Sequence, residues 1–485
     1  MKLLQGVPLI AVLLAVLAFA NEAAGEHPPG KGGRLNVRVM DDFGGFDHIL
    51  APHAGIARLQ ILFAVHDRLF EPSSKTGKPI PRLALSATPG DDFKRWRVTL
   101  RSGIRFSNGE PLNADAYVQH FERLLDSEYA RRFRAVMGAP LKKVTAPGKL
   151  LVEFQFSKPN PGFRAILGYG GAYVWSLNAP AFMARNRAHP GLTGKSAGAG
   201  PFRIASWEQG ARVVLKRNPN YWDPSAQHLD EITYHVLDGS KLDDILRRLA
   251  SGKLDVAMIS GDGAIQAALK ARRFSVYRRT LDQFGATLGF NRTIAPLGDP
   301  VVRLALAQAI DRRAIARGLG GTDGDVAEQL FQGSRWRCSD AGYPAFDPDG
   351  ARNILAALEV DFSRTVLWTE DTPTLRRTAQ MIQAMWAKAG ISIGVHVVTG
   401  QDRSLTYQIV TGRAALWIQP KGPFVHPSIS DLALHSASSQ NITRLRSHKI
   451  DTAIARLRRA RTEKDIRAAH CGFERVKTEV LPYLP

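Results

Sequence analysis

Cysteine and long apolar runs are both scarce in this chain. Only Cys338 and Cys471 occur in 485 residues, so one internal disulfide is the most that can form. Beyond residue 20 no segment is long and apolar enough for a membrane-spanning helix, which needs about 20 apolar residues. The 13 histidines form no HExxH motif and no compact His/Cys group with metal-ligand spacing. We therefore expect no resident metal and no cofactor.

Acidic residues are also in deficit. The chain has 65 Lys and Arg against 44 Asp and Glu, a net charge of +21. The basic residues are scattered as short pairs such as Arg131-Arg132 and Arg458-Arg459, without a basic tail, zinc-finger spacing or an aromatic-basic RNA motif. We expect no nucleic-acid partner. Solvated cationic faces, an acidic surface in the exported compartment and an anionic ligand are the open explanations.

The first 20 residues have the layout of a secretory signal peptide. Lys2 supplies the positive start, Val7 to Phe19 the apolar core, and Ala18-Phe-Ala20 a small-x-small cleavage site. A membrane anchor is the alternative, but the run is shorter than the roughly 20 residues that a bilayer requires. Since no cysteine lies near the cleavage site, lipid attachment is excluded. We expect residues 1–20 to be removed and the mature protein to be periplasmic.

Export bears on the two cysteines, because disulfides persist in oxidising compartments. Cys338 lies in a predicted loop and Cys471 in a predicted helix. A single disulfide between them and two unpaired thiols are both compatible with the sequence.

Length and periodicity predict an α/β protein of two or three domains. With 485 residues and 44% hydrophobic content, the chain exceeds one ordinary core. Strand and helix patterns alternate along it, which indicates α/β layers. Predicted strands are 34–40, 93–100, 150–156, 202–216 as a hairpin, 231–237, 254–259, 365–368 and 391–398; predicted helices are 52–70, 113–125 with Asn113 as N-cap, 299–319, 450–461 and 464–480.

Several motifs in a fixed order resemble one protein family. They are GAGPF at 198–202, RNPNYW at 217–222, SGKLDVA at 251–257, LRSGIRFSNGEP at 100–111, and the segment from Phe290-Asn291 to Asp311. This set resembles the family 5 extracellular solute-binding proteins of ABC importers, the peptide/nickel/opine group, over roughly residues 35 to 480. Asn108 stands where that family usually has an Asp.

The resemblance implies a periplasmic-binding-protein-like clamshell, two lobes with an extra inserted domain. By analogy the first lobe is discontinuous, 21–60 plus 186–280; the inserted second domain is 61–185, and the second lobe is 281–485. The family usually continues for a few dozen residues past the LPYLP-like stretch that ends at Pro485. The closing segment of the first lobe is therefore expected to be short or missing.

Two enzyme-like motifs share one loop. Residues Gly194 to Gly198 fit the G-x-S-x-G nucleophile elbow around Ser196, and Gly194-Lys195-Ser196 is similar to part of a phosphate-binding loop. Both motifs need a helix directly afterwards, whereas a strand is predicted there. We expect no catalytic activity.

The helix predicted from Thr372 to Gly390 carries the first candidate site residues. Thr372 suits the N-cap and Pro373 the first turn. Leu375, Ala379, Ile382 and Trp386 share a face that should be buried. Arg376 and Arg377 lie off that face in the first turn, where cations oppose the helix dipole and a bound anion would relieve them. In the peptide-binding branch of this family, an Arg at this place in the helix takes the peptide carboxylate; a solvated Arg pair is the alternative.

The second anchor of that branch is an Asp shortly after a Trp, which pairs with the peptide ammonium group. Trp417 matches the Trp, but Pro420 and Lys421 stand where the Asp is expected. A buried ammonium without a partner is costly, so binding of free-amino peptides is disfavoured. The predicted ligand-binding residues are Arg376, Arg377, Trp417, Lys421 and Phe284.

The resemblance implies a monomeric periplasmic binding component of an ABC importer. It would capture a peptide-like or small anionic solute between two lobes and deliver it to the permease in the inner membrane. A sensory protein that presents its ligand-closed form to a membrane receptor is the alternative. A secreted hydrolase is a third hypothesis that rests on Ser196 alone.

Overall fold

The described part of the chain forms two five-stranded sheets, one four-stranded sheet and a two-stranded ribbon. A computed structural model describes residues 32–39, 56–73, 78–126, 137, 139–169, 176–185, 196–237, 242–259, 274–275, 286–321, 323, 326–327, 329, 336–339, 342–399, 404–420, 427, 434–438 and 441–485. The predicted signal peptide lies outside these residues.

The strands are β1 (Arg34–Val39), β2 (Phe70–Pro72), β3 (Pro79–Pro81), β4 (Ala84–Pro89), β5 (Arg95–Leu100), β6 (Leu141–Gly148), β7 (Leu151–Phe156), β8 (Phe202–Glu208), β9 (Arg212–Arg217), β10 (Glu231–Val236), β11 (Val256–Ala257), β12 (Ala286–Phe290), β13 (Val366–Glu370), β14 (Gly394–Val398), β15 (Leu416–Pro420) and β16 (Tyr483–Leu484). The helices are α1 (Ile56–Val65), α2 (Ala114–Asp126), α3 (Phe163–Tyr169), α4 (Pro180–Arg185), α5 (Leu242–Ala250), α6 (Pro300–Gln308), α7 (Arg312–Gly318), α8 (Pro348–Ala357), α9 (Pro373–Lys388), α10 (Leu405–Thr411), α11 (His448–Arg459) and α12 (Glu463–Val480).

The first five-stranded sheet has the order β11-β1-β10-β9-β8 and forms what we call the first lobe. β1 is parallel to both β10 and β11, while β8 and β9 form the predicted antiparallel hairpin. Its apolar face packs against α1 through residues that include Ile61, Leu62 and Val65. Parallel pairing of β1 with β10 joins segments about 200 residues apart in sequence, Arg34 opposite Glu231.

The four-stranded antiparallel sheet, in the order β4-β5-β7-β6, is the centre of what we call the inserted domain. Helix α2 packs on it, and its predicted N-cap is confirmed because Ala116 N donates to Asn113 Oδ1 at 3.0 Å. One apolar cluster that includes Phe121 and Phe154 fills the space between sheet and helix. The predicted domain boundaries stay a prediction.

The GAGPF motif brings the chain very close to the end of α1. Gly200 N donates to Val65 O at 2.8 Å. A Cβ atom on Gly198 would lie 2.2 Å from Val65 O, and one on Gly200 would lie 2.5 Å from the Val65 carbonyl carbon. Only glycine permits this approach, so both glycines hold the loop before β8 against the end of α1, where the chain passes from the first lobe into the inserted domain.

The RNPNYW motif strengthens the same junction around a buried carboxylate. Asp67 Oδ2 accepts hydrogen bonds from Trp222 Nε1 at 2.9 Å and from the Tyr221 hydroxyl at 3.1 Å. Arg82 donates to the Tyr221 hydroxyl at 2.6 Å and lies 3.5 Å from Asp67. Because these groups come from both sides of the junction, the motif acts structurally.

The second five-stranded sheet has the order β14-β13-β15-β12-β16 and forms what we call the second lobe. β13 runs parallel to β14 and β15, whereas β12 is antiparallel to β15 and β16. The buried guanidinium of Arg303 donates to the carbonyls of Val480 and Leu481, at 2.7 and 3.0 Å, where α12 ends. This arginine of the VRLALAQAIDR segment therefore holds the last helix in position.

Two predicted helices are shorter than expected. The span 299–319 was predicted as one helical region, but it contains α6 and α7, which begin after separate N-caps: Val301 N donates to Asp299 Oδ1 at 2.8 Å, and Ala314 N to Asp311 Oδ1 at 2.9 Å. The helix predicted to continue to residue 70 ends at Val65, and Phe70 begins β2 instead. A capping Asp inside a periodic stretch starts a new helix because its side chain replaces an intrahelical acceptor.

Cys338 and Cys471 form a disulfide, with their Cα atoms 5.4 Å apart. Of the two alternatives left by the sequence, the structure selects the bonded one. The bridge ties a loop of the second lobe to the middle of α12. Within the described residues no helix has both the length and the apolar character to cross a membrane.

Candidate functional site

The parallel strands of both sheets define two candidate edges. Ligands of open α/β sheets bind beyond the carboxyl ends of the strands. In the second lobe these ends are at Glu370, Val398 and Pro420, and the chain enters β12 at the same edge because Ala286 pairs with Pro420. In the first lobe the corresponding ends are those of β1, β10 and β11.

Helix α9 starts at this edge of the second lobe, directly after β13. The predicted N-cap is confirmed: Leu375 N donates to Thr372 Oγ1 at 3.3 Å. Its predicted apolar face is also confirmed, since Ala379 and Trp386 are fully buried and Trp386 Nε1 donates to Leu306 O at 3.0 Å. Gly390 ends the region with a φ of +80°.

Arg376 and Arg377 both project from the exposed side of the first turn of α9. Arg376 forms an ion pair with Asp371, and each side chain of this pair is about half exposed, 48% and 47%. The carboxylate of Asp371 lies just before the N-cap and interacts favourably with the helix dipole, whereas the two arginine side chains interact with it unfavourably. The structure thus gives Arg376 an acidic partner that the sequence analysis did not identify.

Trp417 lies in the core of the second lobe and is 1% exposed. Its ring covers Gly289 on the neighbouring strand, where a Cβ atom would lie 2.2 Å from the indole. Leu405 and Ile409 of α10 pack against the same ring. A direct contact between Trp417 and a ligand stays a prediction. Lys421 and Phe284, the other two predicted contacts, lie outside the described residues.

Arg38 is a charged residue that the sequence analysis missed. It lies in β1, is 1% exposed, and donates to Leu237 O at 3.0 and 2.8 Å and to Met258 O. These carbonyls follow β10 and β11, so Arg38 places a buried positive charge at the carboxyl edge of the first lobe. A cation inside an otherwise alternating apolar strand was the signal that could have identified it.

Ser196 sits in the loop that precedes β8, and no helix follows it. Its hydroxyl donates to Asn178 Oδ1 at 2.6 Å and lies 3.3 Å from His66 Nε2. His66 Nδ1 is 3.0 Å from Leu177 O, so this nitrogen carries a proton and donates it to the carbonyl. The strand–turn–helix geometry of a nucleophile elbow is therefore absent from this described loop, and the contacts hold the loop against α1.

Two histidines are buried in the neutral form. Burial lowers the pKa of His66 and of His470 to about 4. No group of three or more His, Cys, Asp or Glu side chains that could hold a metal ion was found in the part of the chain that the structure describes.

We expect the protein to lose stability between pH 6.5 and pH 4. The folded-state pKa of each histidine lies below the unfolded value of about 6.5, so the unfolded state binds more protons in this window. The contribution is complete above pH 6.5 and is lost as pH falls. Urea unfolding should show about 2–3 kcal/mol less stability per histidine at pH 4.5 than at pH 7. His66→Gln should reduce that difference; an unchanged difference would contradict the assignment for His66.

Comparisons with known proteins agree with the architecture. The family model for bacterial extracellular solute-binding proteins, family 5 Middle, matches residues 78–432. Di/tripeptide-binding protein 3 of Pseudomonas aeruginosa is 26% identical over 340 residues, 65% of this chain and 63% of that relative, so the match spans less than two thirds of the relative's length. Among solved structures, the periplasmic binding protein DppA of Helicobacter pylori in complex with the peptide STSA superposes with a TM-score of 0.76 at 20% identity, covering 94% of this chain and 92% of that one. The binding protein AgaA of A. tumefaciens R10 in complex with agropinic acid superposes with a TM-score of 0.72 at 21% identity, covering 93% and 91%.

Proposed function

Because the chain belongs to family 5 of the bacterial extracellular solute-binding proteins, we propose that it captures an anionic or carboxylate-bearing organic solute between its two lobes. Proteins of this family bind solutes and do not transform them. We further propose that this protein acts in the periplasm and delivers its solute to the permease of an ABC importer. The named relatives, which include a dipeptide-binding protein of Escherichia coli, support this role.

The observation that carries the proposal is the first turn of α9. Arg376 and Arg377 are exposed there, at the carboxyl edge of three parallel strands. The dipole of a helix start favours a bound anion. The guanidinium groups of this turn oppose that dipole, and a bound anion would offset this cost and accept charge-assisted hydrogen bonds from them.

The residues after Trp417 support a preference for an anionic ligand. Ile418 and Gln419 are the described residues directly after it, and neither carries a carboxylate. A ligand ammonium group enclosed there would lose its hydration without gaining an ion pair. A lone carboxylate or a net negative charge is therefore favoured over a free-amino dipeptide, and the agropinic acid bound by AgaA shows that this fold accepts organic acids.

The ion pair between Asp371 and Arg376 makes the two arginines unequal as candidate contacts for a ligand carboxylate. A ligand carboxylate must compete with Asp371 for Arg376, whereas Arg377 has no such competitor among its described contacts. Arg377 is thus the stronger candidate for the first contact. Asp371→Asn should release Arg376 and increase affinity for an anionic ligand.

We expect Arg377→Ala to weaken ligand binding about ten- to a hundredfold, the loss of a charge-assisted contact of about 1.5–3 kcal/mol. The ligand is first identified by mass spectrometry of small molecules released from freshly purified, denatured protein. Calorimetric titration then compares the parent with Arg377→Ala, Arg376→Ala and Asp371→Asn. Arg446→Ala removes an equal charge from an exposed position before α11 and serves as the control. Parent-like binding by both α9 variants, or tight binding of a cationic ligand, would reject the proposal.

A further inference from the structure

Arg461 of the second lobe contacts Phe93 of the inserted domain. The guanidinium carbon of Arg461 lies 5.2 Å from the centre of the Phe93 ring. Arg461 is in the turn between α11 and α12, and Phe93 is in the turn between β4 and β5. Arg461 is exposed and charged, and the face of an aromatic ring attracts such a cation.

The backbone of Phe93 is unusual for an aromatic residue. Its φ is +55°, in the left-handed region that bulky residues rarely adopt. The hairpin requires this conformation, because Phe93 N donates to Gly90 O at 3.0 Å and Gly90 N donates to Arg95 O at 2.7 Å. In a hairpin turn that ends on a left-handed residue, glycine is the usual choice. An aromatic side chain at this position is therefore retained at a conformational cost.

Two contacts fix the direction of the Phe93 ring. The ring packs edge-on against Trp96 with centroids 6.0 Å apart. Asn160 N donates to Phe93 O at 2.9 Å, and Asn160 O accepts from Trp96 Nε1 at 3.1 Å. The ring is thus oriented before Arg461 reaches it.

Arg461 is oriented as well. Its Nη1 donates to Arg458 O at 3.0 Å, near the end of α11. Ala460 closes that helix in an extended conformation, and Thr462 caps α12 by accepting from Asp465 N at 3.1 Å. A short turn between two capped helices presents the guanidinium to the inserted domain.

The inserted domain is fastened to the first lobe, so this contact reports on the position of the second lobe. Gly200 N bonds to Val65 O at 2.8 Å, and Ser107 N bonds to Gly198 O at 2.8 Å. Trp222 Nε1 bonds to Asp67 at 2.9 Å. A movement of the second lobe away from the first lobe would therefore separate Arg461 from Phe93.

We propose that Arg461 and Phe93 form a latch that favours the arrangement in which the second lobe touches the inserted domain. This inference rests on the proposed function, because it assumes lobes that open and close around a solute. The latch raises the fraction of ligand-free protein that is already closed. It thereby lowers the part of the binding free energy that is spent on closure.

Single-molecule energy transfer in the ligand-free protein tests the latch. Dyes are attached through non-natural amino acids at Lys142 of the inserted domain and Arg446 of the second lobe, both exposed, so that the disulfide stays intact. Arg461→Gln and Phe93→Gly should each shift the ratio of closed to open molecules towards open about two- to fivefold, the range for an exposed cation–ring contact. Arg459→Gln removes another exposed charge at the end of α11 and should leave the ratio of closed to open molecules unchanged.

The double variant separates a latch from two unrelated effects. Arg461→Gln combined with Phe93→Gly should open the protein no further than either single change, because both remove one interaction. Phe93→Gly also relieves the left-handed backbone of the β4–β5 turn, whereas Arg461→Gln leaves that turn unchanged. A folding defect caused by one variant is therefore absent from the other. Parent-like ratios in both variants, or an equal shift in Arg459→Gln, would overturn the latch. If the variants shift the ratio of closed to open molecules but the protein binds no solute, the latch is supported and the proposed function is rejected.

Discussion

Replacement of both cysteines by alanine is expected to lower the free energy of unfolding by about 3–5 kcal/mol. The bridge closes a loop of 133 residues in sequence, and restricting such a loop lowers the entropy of the unfolded chain. Cys338 is 2% exposed and is held by two hydrogen bonds with the Gln329 amide, at 2.6 and 2.7 Å, so its site is ordered around the bridge. Since the whole stability of a domain is about 5–15 kcal/mol, the loss is large.

Urea unfolding with and without a thiol reductant measures this loss. Reductant should shift the parent to the midpoint of the Cys338→Ala/Cys471→Ala variant, and the variant itself should not respond. A single Cys338→Ala change, which leaves Cys471 unpaired, should resemble the double variant in stability. A parent that keeps its midpoint after complete reduction would contradict the prediction.

Glu474→Gln is expected to cost about 3–5 kcal/mol of folding stability, because it leaves a buried ammonium group without its counter-charge. Glu474 and Lys477 form an ion pair one turn apart on α12, and both side chains are 0% exposed. The Lys477 ammonium also lies 5.7 Å from the ring centres of Tyr343 and Tyr483. Burial lowers the pKa of Lys477 below its ordinary value, and only the nearby carboxylate opposes that shift.

The matched variants distinguish the ion pair from general packing. Lys477→Met should cost a similar amount, since it leaves a buried carboxylate. The double variant Glu474→Leu/Lys477→Met should regain most of the loss, because an apolar pair of similar volume removes both desolvation costs. Urea unfolding at pH 7 gives the three values. An exposed ion pair contributes at most about 1 kcal/mol. Single variants whose stability lies within about 1 kcal/mol of the parent would therefore show that the buried pair is not essential.

Local patterns were sufficient to predict most of the regular elements. Thr372 caps the start of helix α9 and Gly390 follows its end, as predicted, because capping side chains and glycine conformation act within one turn of the chain. The hairpin β8–β9 and the strands β1 and β10 likewise follow from alternation over a few residues. The break between α6 and α7 was missed because the apolar periodicity of 299–319 continues across Asp311, which instead caps a second helix.

The candidate site was predictable only in part. Arg376 and Arg377 could be assigned to the outer side of α9 from helix geometry, but the ion pair between Asp371 and Arg376 depends on the turn after β13. The ligand contact predicted for Trp417 stays a prediction; its ring lies within the second lobe, where Gly289 on the next strand leaves room for it. Arg38 was missed, because its acceptors belong to segments some 200 residues further along the chain.

The alternation of strands and helices and the family motifs are properties of neighbouring residues, so the sequence by itself determined them. The export signal is predicted from the sequence on the same basis. The tertiary structure decided whether the two cysteines bond, which charges are buried, and why Gly198, Gly200 and the Tyr221-Trp222 pair occupy their positions. These features depend on contacts between segments far apart in the chain. Their energies come from burial and from distances of a few ångströms, which arise only after the sheets have paired.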